Sequence, residues 1–169
     1  RIKWLLAPWP TETSGLTEPL LLQLLHDLLA DAVAHGNEED MALALKAIGN
    51  AGQPISIKHI VKLLPWPRPS APNVPLKSKV DAIMALRNIL KKDPTKIQVI
   101  TLHIFMDQRN APELRMAACA VFLCTKPPLN ALLLLANSLM KESSLQVASF
   151  AYTQLRSLSR SSLPSLYPL

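Results

Sequence analysis

Residues 41–64, MALALKAIGNAGQPISIKHIVKLL, hold the unit on which the rest of the chain is built. Apolar residues at Met41, Leu45 and Ile48, and again at Ile57, Ile60, Val61 and Leu64, recur at helical spacing on either side of Gly49-Asn50-Ala51-Gly52. The pattern predicts helix, tight corner, helix. Gly49 and Gly52 are expected to close the first helix with positive φ, and Pro54 to pre-set the start of the second. Neither helix alone can hide its apolar stripe from water, so the unit calls for stacking on copies of itself.

Those copies follow downstream. KVDAIMALRNILKK (79–92) is one helix, and Asp93-Pro94 opens TKIQVITLHIFMD (95–107). Pro112-Glu113 then opens LRMAACAVFLCT (114–125), Pro127-Pro128 opens LNALLLLANSLMK (129–141), and Ser143-Ser144 opens LQVASFAYTQLRSL (145–158). Ala44-Leu45-Lys46-Ala47-Ile48 aligns with Ala85-Leu86-Arg87-Asn88-Ile89 at an offset of 41 residues, and Ala85, Ala118 and Ala151 recur at 33. Spacings of about 30 to 47 residues with two helices per unit are those of HEAT, armadillo and related α-solenoids. Small residues (Ala44, Ala47, Ala82, Ala85, Ala117, Ala118, Ala120, Ala148 and Ala151) recur where paired helices must approach closely. ITLHIF is the one β-like run, and its neighbours make it helical, so the expected class is all-α, an α-α superhelix of HEAT-like type.

Upstream, residues 1–16 read as an irregular lead-in broken by Pro8 and Pro10. Thr17 offers an N-cap, and LLLQLLHDLLADAVAH runs from there to Gly36 with only Gln23, Asp27 and Asp31 forming a polar stripe. Such a Leu-covered helix needs neighbours on more than one side; with two aspartates on its polar face it is a poor membrane-surface helix. Glu38, Glu39 and Asp40 fall in the first turn of the next helix, where carboxylates complement the macrodipole. Between the first two units, residues 65–75 carry five prolines and read as an extended, polyproline-like surface loop. The helical-repeat domain is therefore placed at residues 17–160, with a Ser- and Pro-rich linker or tail at 161–169.

Composition bounds the function. A hydrophobic fraction of 49%, mean hydropathy of +0.19 and only 18% charged residues leave more apolar surface than a free-standing domain of this size needs, which points to contact with another domain, chain or lipid. No apolar run, neither Ala131 to Ala136 nor the longer Met116 to Cys124, approaches the roughly 20 residues that span a bilayer. The basic and then apolar start resembles a signal peptide, but Pro8 and Pro10 truncate it, and the missing initiator Met suggests interior sequence. Residues 1–75 hold 6 basic and 7 acidic side chains and residues 76–169 hold 12 and 5, so the second half carries all of the positive excess. An anionic partner would meet it there.

The sequence carries few residues arranged for chemistry. With glycine only at positions 15, 36, 49 and 52, neither a P-loop nor a dinucleotide fingerprint can be assembled, and HExxH, CxxC and GxSxG are absent. His26, His35, His59 and His103 read as packed or solvated residues on separate elements without metal-ligand spacing. Cys119 and Cys124 lie five apart on one helix, roughly 140° around it, so they cannot bond to each other there and read as small buried hydrophobes; pairing outside this sequence stays open. Aromatics are 5% and do not alternate with Lys or Arg, which argues against nucleic acid. No catalytic, cofactor-binding or metal residue is expected, and no enzyme activity.

The phrases ALKAIGNAGQPISIKHIVKLLP (44–65), VPLKSKVDAIMALRNILKKDPTKIQ (74–98), ELRMAACAVFL (113–123) and QVASFAYTQLRSLSR (146–160) resemble the α-helical domain of the vitellogenins and, more broadly, the large lipid transfer proteins. The resemblance runs from about Leu20 to Arg160. It implies a two-layered horseshoe of helices bracing β-sheets that enclose a lipid cavity, in a much larger secreted polypeptide stored in oocyte yolk. The implied partners are β-sheet domains of the same parent protein, phospholipid and neutral lipid held mostly elsewhere, and a second copy of the parent as a homodimer. Trp66-Pro67-Arg68-Pro69 and Cys124 depart from the family pattern. A different function class stands beside this one: an independent HEAT-like adaptor gripping an anionic protein or nucleic acid through Lys91, Lys92 and Lys96.

Overall fold

Asn37 sets the start of the first helix hairpin. Its Oδ1 accepts from the backbone N–H of Glu39 and Asp40 at 3.2 and 3.3 Å, and its Nδ2 donates to the Asp40 carboxylate at 2.6 Å. Two N–H groups without intrahelical partners are thereby satisfied at the head of α2 (Glu38–Ala51), where Glu38, Glu39 and Asp40 occupy the first turn. Before it, α1 (Thr17–His35) ends at Gly36, which adopts φ +67°, and Asn37 N–H returns to Ala32 at 3.0 Å. A connection this short folds α2 back along α1, and the two helices pack together.

The structure, a computed structural model, describes residues 17–69 and 73–160, and no side chain of Thr17 or Glu18. The lead-in, the tail, residues 70–72 of the proline-rich loop and the capping role read for Thr17 lie outside the described residues. Every other element is helical: after α1 and α2 come a short 3-10 turn (Pro54–Ser56), α3 (Ile57–Val61), α4 (Leu76–Ile89), α5 (Pro94–Met106), α6 (Pro112–Cys124), α7 (Leu129–Leu139) and α8 (Leu145–Arg160), with no strand among the described residues. The all-α expectation holds, and ITLHIF lies inside α5.

Three local expectations need correction. Of Gly49 and Gly52, Gly52 alone takes positive φ, +60°, donating to the carbonyls of Ile48 and Gly49; Gly49 is a buried residue inside α2, selected for space and not for backbone freedom. The second helix of the unit stops at Val61, not Leu64, because Leu63 and Leu64 turn tightly, their N–H groups bonding to Ile60 and Val61 three residues back. Residues 62–68 form turns and bends, not an extended polyproline segment; Trp66 N–H donates to the Leu64 carbonyl at 2.8 Å.

The chain divides into two compact units between Asp93 and Pro94. In the first, α2 packs against both α1 and α4, and α3 packs against α4. Leu45, Ile48, Ile60, Ile83, Leu86 and Ile89 are fully buried there, each contributing roughly 1.5–3 kcal/mol by leaving water. Ala44, Ala47, Ala82 and Ala85 are also buried, so the small residues do sit where helices meet. In the second unit α6 packs against α5 and α8, and α5 also meets α7; Ile97, Ile104, Phe105, Ala118, Phe122, Leu135, Val147 and Ala151 form the core.

Candidate functional site

The feature that stands out chemically is apolar surface left in water. Helix α7, LNALLLLANSL, buries only Leu135. Leu129, Leu133 and Ala136, with Met140 at the helix cap, are exposed at i, i+4, i+7 and i+11, so one whole stripe of the helix is apolar and wet. Leu129 is 69% exposed and Met140 87%, and beyond them Leu145 is 84% exposed at the start of α8. Leu134 and Tyr152 are exposed as well. Scattered surface leucines are ordinary in folded proteins, whereas a continuous stripe along a helix marks a contact surface.

The first unit has a smaller counterpart. Leu20 and Leu24, one turn apart on α1, and Ile55 in the 3-10 turn are exposed. Beside them opens a cleft of about 390 Å³ lined by Pro19, Leu22, Gln23, His26, Gln53 and Ile55. A second cleft of about 420 Å³ between α2 and α4 has Lys46, Arg87 and Asp81 on its walls, charges of both signs that define no site for an ion of one sign.

Two buried polar clusters brace these surfaces. Arg115 on α6 is buried; its Nε donates to the Phe105 carbonyl at 2.8 Å, and its guanidinium lies 5.5 Å over the Phe105 ring. The same guanidinium forms a two-pronged ion pair with Glu142, in the turn between α7 and α8. Glu142 Oε1 also accepts from Ser144 N–H at 2.8 Å, so both carboxylate oxygens are engaged. The Arg115 hydrogen bonds, followed by that of Ser144, hold the Glu142 carboxyl below its ordinary range against the cost of burial. Sequence reading passed over both residues; the one signal was an Arg in the apolar face of LRMAACAVFL.

The second cluster joins histidines that sequence reading kept apart. His26 on α1 and His59 on α3 stack with ring centroids 3.8 Å apart and planes 8° from parallel, and His26 Nε2 is 2.9 Å from the buried Ser56 hydroxyl. His26 and His35 share α1, correcting their placement on separate elements. His35 is exposed and pairs with Asp31 on its own helix at 3.2 Å.

The cysteines divide. Cys119 is buried and burial pushes its thiol up to about 12, whereas Cys124 is exposed at the end of α6, so only Cys119 is the buried hydrophobe expected of both. Both are free thiols. Lys91, Lys92 and Lys96 are exposed, yet Lys92 donates to Gln53 at 3.1 Å and Lys96 falls in the other compact unit. No group of three or more His, Cys, Asp or Glu side chains that could hold a metal occurs among the described residues, and no described helix is long and apolar enough to cross a membrane.

Paired helices, small residues at their crossings and apolar stripes left exposed define a helical-repeat module built for contact. Residues 11–156 match the family model described as the vitellogenin TPR domain. The chain is 49% identical to vitellogenin of Acipenser transmontanus over 148 residues, covering 88% of this chain and 9% of that protein. It is 51% identical to vitellogenin-A2 of Xenopus laevis over 150 residues, covering 88% and 8%. A solved structure described as "Lipid-protein interactions in lipovitellin" superposes with a TM-score of 0.84 at 49% identity, over 88% of this chain and 16% of that one. This chain belongs to the vitellogenin family, and it spans about a tenth of the length of those relatives.

Proposed function

We propose that this chain is the helical-repeat segment of a vitellogenin-type lipid-transport and yolk-storage lipoprotein, a structural module without catalytic chemistry of its own. It braces the β-sheets of the same parent polypeptide, which enclose phospholipid and neutral lipid. The working domain is the helical stretch of residues 17–160. The parent is secreted and stored in oocyte yolk, where it assembles as a homodimer, and nucleic acid is not among its partners.

The observation that carries this reading is the α7 stripe of Leu129, Leu133, Ala136 and Met140 in water. A storage lipoprotein has greasy neighbours for such a face, whereas an isolated adaptor would hold it at the risk of aggregation. Family membership agrees, and no feature of the described surface favours the adaptor. Fluorescence of an apolar dye with the 169-residue chain tests it. Strong dye binding and self-association, both reduced in Leu129→Glu with Leu133→Glu, are expected. A monomeric chain that binds no dye would overturn the reading.

A further inference from the structure

The His26–His59 stack is more than a packed pair. His26 is buried, tied to Ser56, and lies 3.8 Å from a second ring that can also take a proton. The charged groups acting on the two rings come from both helices: Asp27 on α1 opposes Lys58 and Lys62 on α3, and none from α2 or α4 is among them. A stack of this kind accommodates one protonated ring against a neutral one, but not a proton on each. A proton on both would set two cations face to face at van der Waals separation, beside two lysines and one aspartate.

We propose that this pair is an acid-operated latch: protonating both rings frees α1 from the corner made by Pro54–Ser56 and α3 and widens the cleft between them. The consequence is local, because α1 meets the remainder of its unit chiefly through α2. Leu22, buried in the latched form, lines that cleft beside His26. This inference goes beyond the bracing role and does not depend on it.

The direction follows from proton linkage. Burial first, then the His59 and Lys58 charges, lower His26 from 6.5 to about 4, with Asp27 opposing; His59 is lowered by burial, Lys62 and Lys58. The latched form thus binds fewer protons than the opened one between 6.5 and about 4. Latching is at full strength above that window and weakens as pH falls through it.

Deuterium exchange on the 169-residue chain at about pH 7 and about pH 5, corrected for intrinsic rates, reads the latch. Peptides from α1 are expected to lose about tenfold more protection on acidification than peptides from α6. His26→Asn with His59→Phe keeps a polar group toward Ser56 and a ring in the stack but titrates at neither position, and its α1 protection is expected to be independent of pH. Acid loss confined to neither helix, or retained in the double variant, overturns the proposal. Should that variant not fold, imidazole NMR of the wild-type chain decides: rings titrating well below 6.5 together with α1 opening support the latch, and rings titrating near 6.5 over a protected α1 overturn it.

Discussion

A side chain at Gly49 would place its first carbon 3.2 Å from the Cα of Ala85. The distance is tighter than ordinary van der Waals contact, so α2 and α4 cross at a point where neither carries more than a methyl group. The equivalence of Ala44–Ile48 with Ala85–Ile89 in the repeat places these segments on neighbouring helices, and the crossing is where the two copies touch.

Bulk at that crossing separates the helices. Gly49→Val is expected to lower unfolding stability by about 1–3 kcal/mol, the range for overpacking a close-packed interior. Gly49→Ala is milder, since gain in helix propensity offsets the contact. In a double-mutant cycle, Ala85→Gly should return part of the loss from Gly49→Val, and full additivity would show that the crossing is not where the strain falls.

Arg115 and Glu142 are a clamp between α6 and the α7–α8 turn. Glu142→Gln leaves the buried guanidinium without its counter-charge and is expected to cost about 3–5 kcal/mol in chemical denaturation. Because the Glu142 carboxyl is held low in the folded chain, its contribution is present above the unfolded value and is lost as pH falls through the folded one. Glu142→Gln should therefore flatten the acid limb of the stability profile. An unchanged limb would exclude the clamp as its source.

The two thiols should report folding independently. Cys124 is exposed and Cys119 is buried with its thiol pushed up to about 12, so a thiol reagent is expected to modify one cysteine quickly and the other only on unfolding. Cys124→Ser should abolish the fast phase. Two fast equivalents in the native chain would contradict the packing of α6.

Charges on the α7 stripe test whether it contributes to the fold or only to contact. Leu129→Glu and Leu133→Glu remove exposed side chains and are expected to change thermal stability by no more than about 0.5 kcal/mol each. Leu135→Glu, on the buried side of the same helix, should unfold the second unit. Equal effects at positions 133 and 135 would mean that the helix lies otherwise than described.

What sequence alone determined was local. Apolar spacing marks each helix, Gly36 and Gly52 end two of them, proline and serine open others, and the 33-residue recurrence of Ala85, Ala118 and Ala151 shows that the units repeat. Such signals act within a turn or two of helix, where geometry is the same in any fold, and the long phrases around them carried the family as well. Packing decided the rest. Ser56 and His26 are 30 residues apart, and Arg115 and Glu142 are 27. Whether an Arg or a His in an apolar stripe meets a partner depends on which side chains the crossing helices bring opposite it. The same crossings decided that Gly49 serves closeness rather than a turn, that Cys124 faces water, and that the α7 leucines stay uncovered. Periodicity records that a face is apolar; only the arrangement of neighbours settles whether anything lies against it.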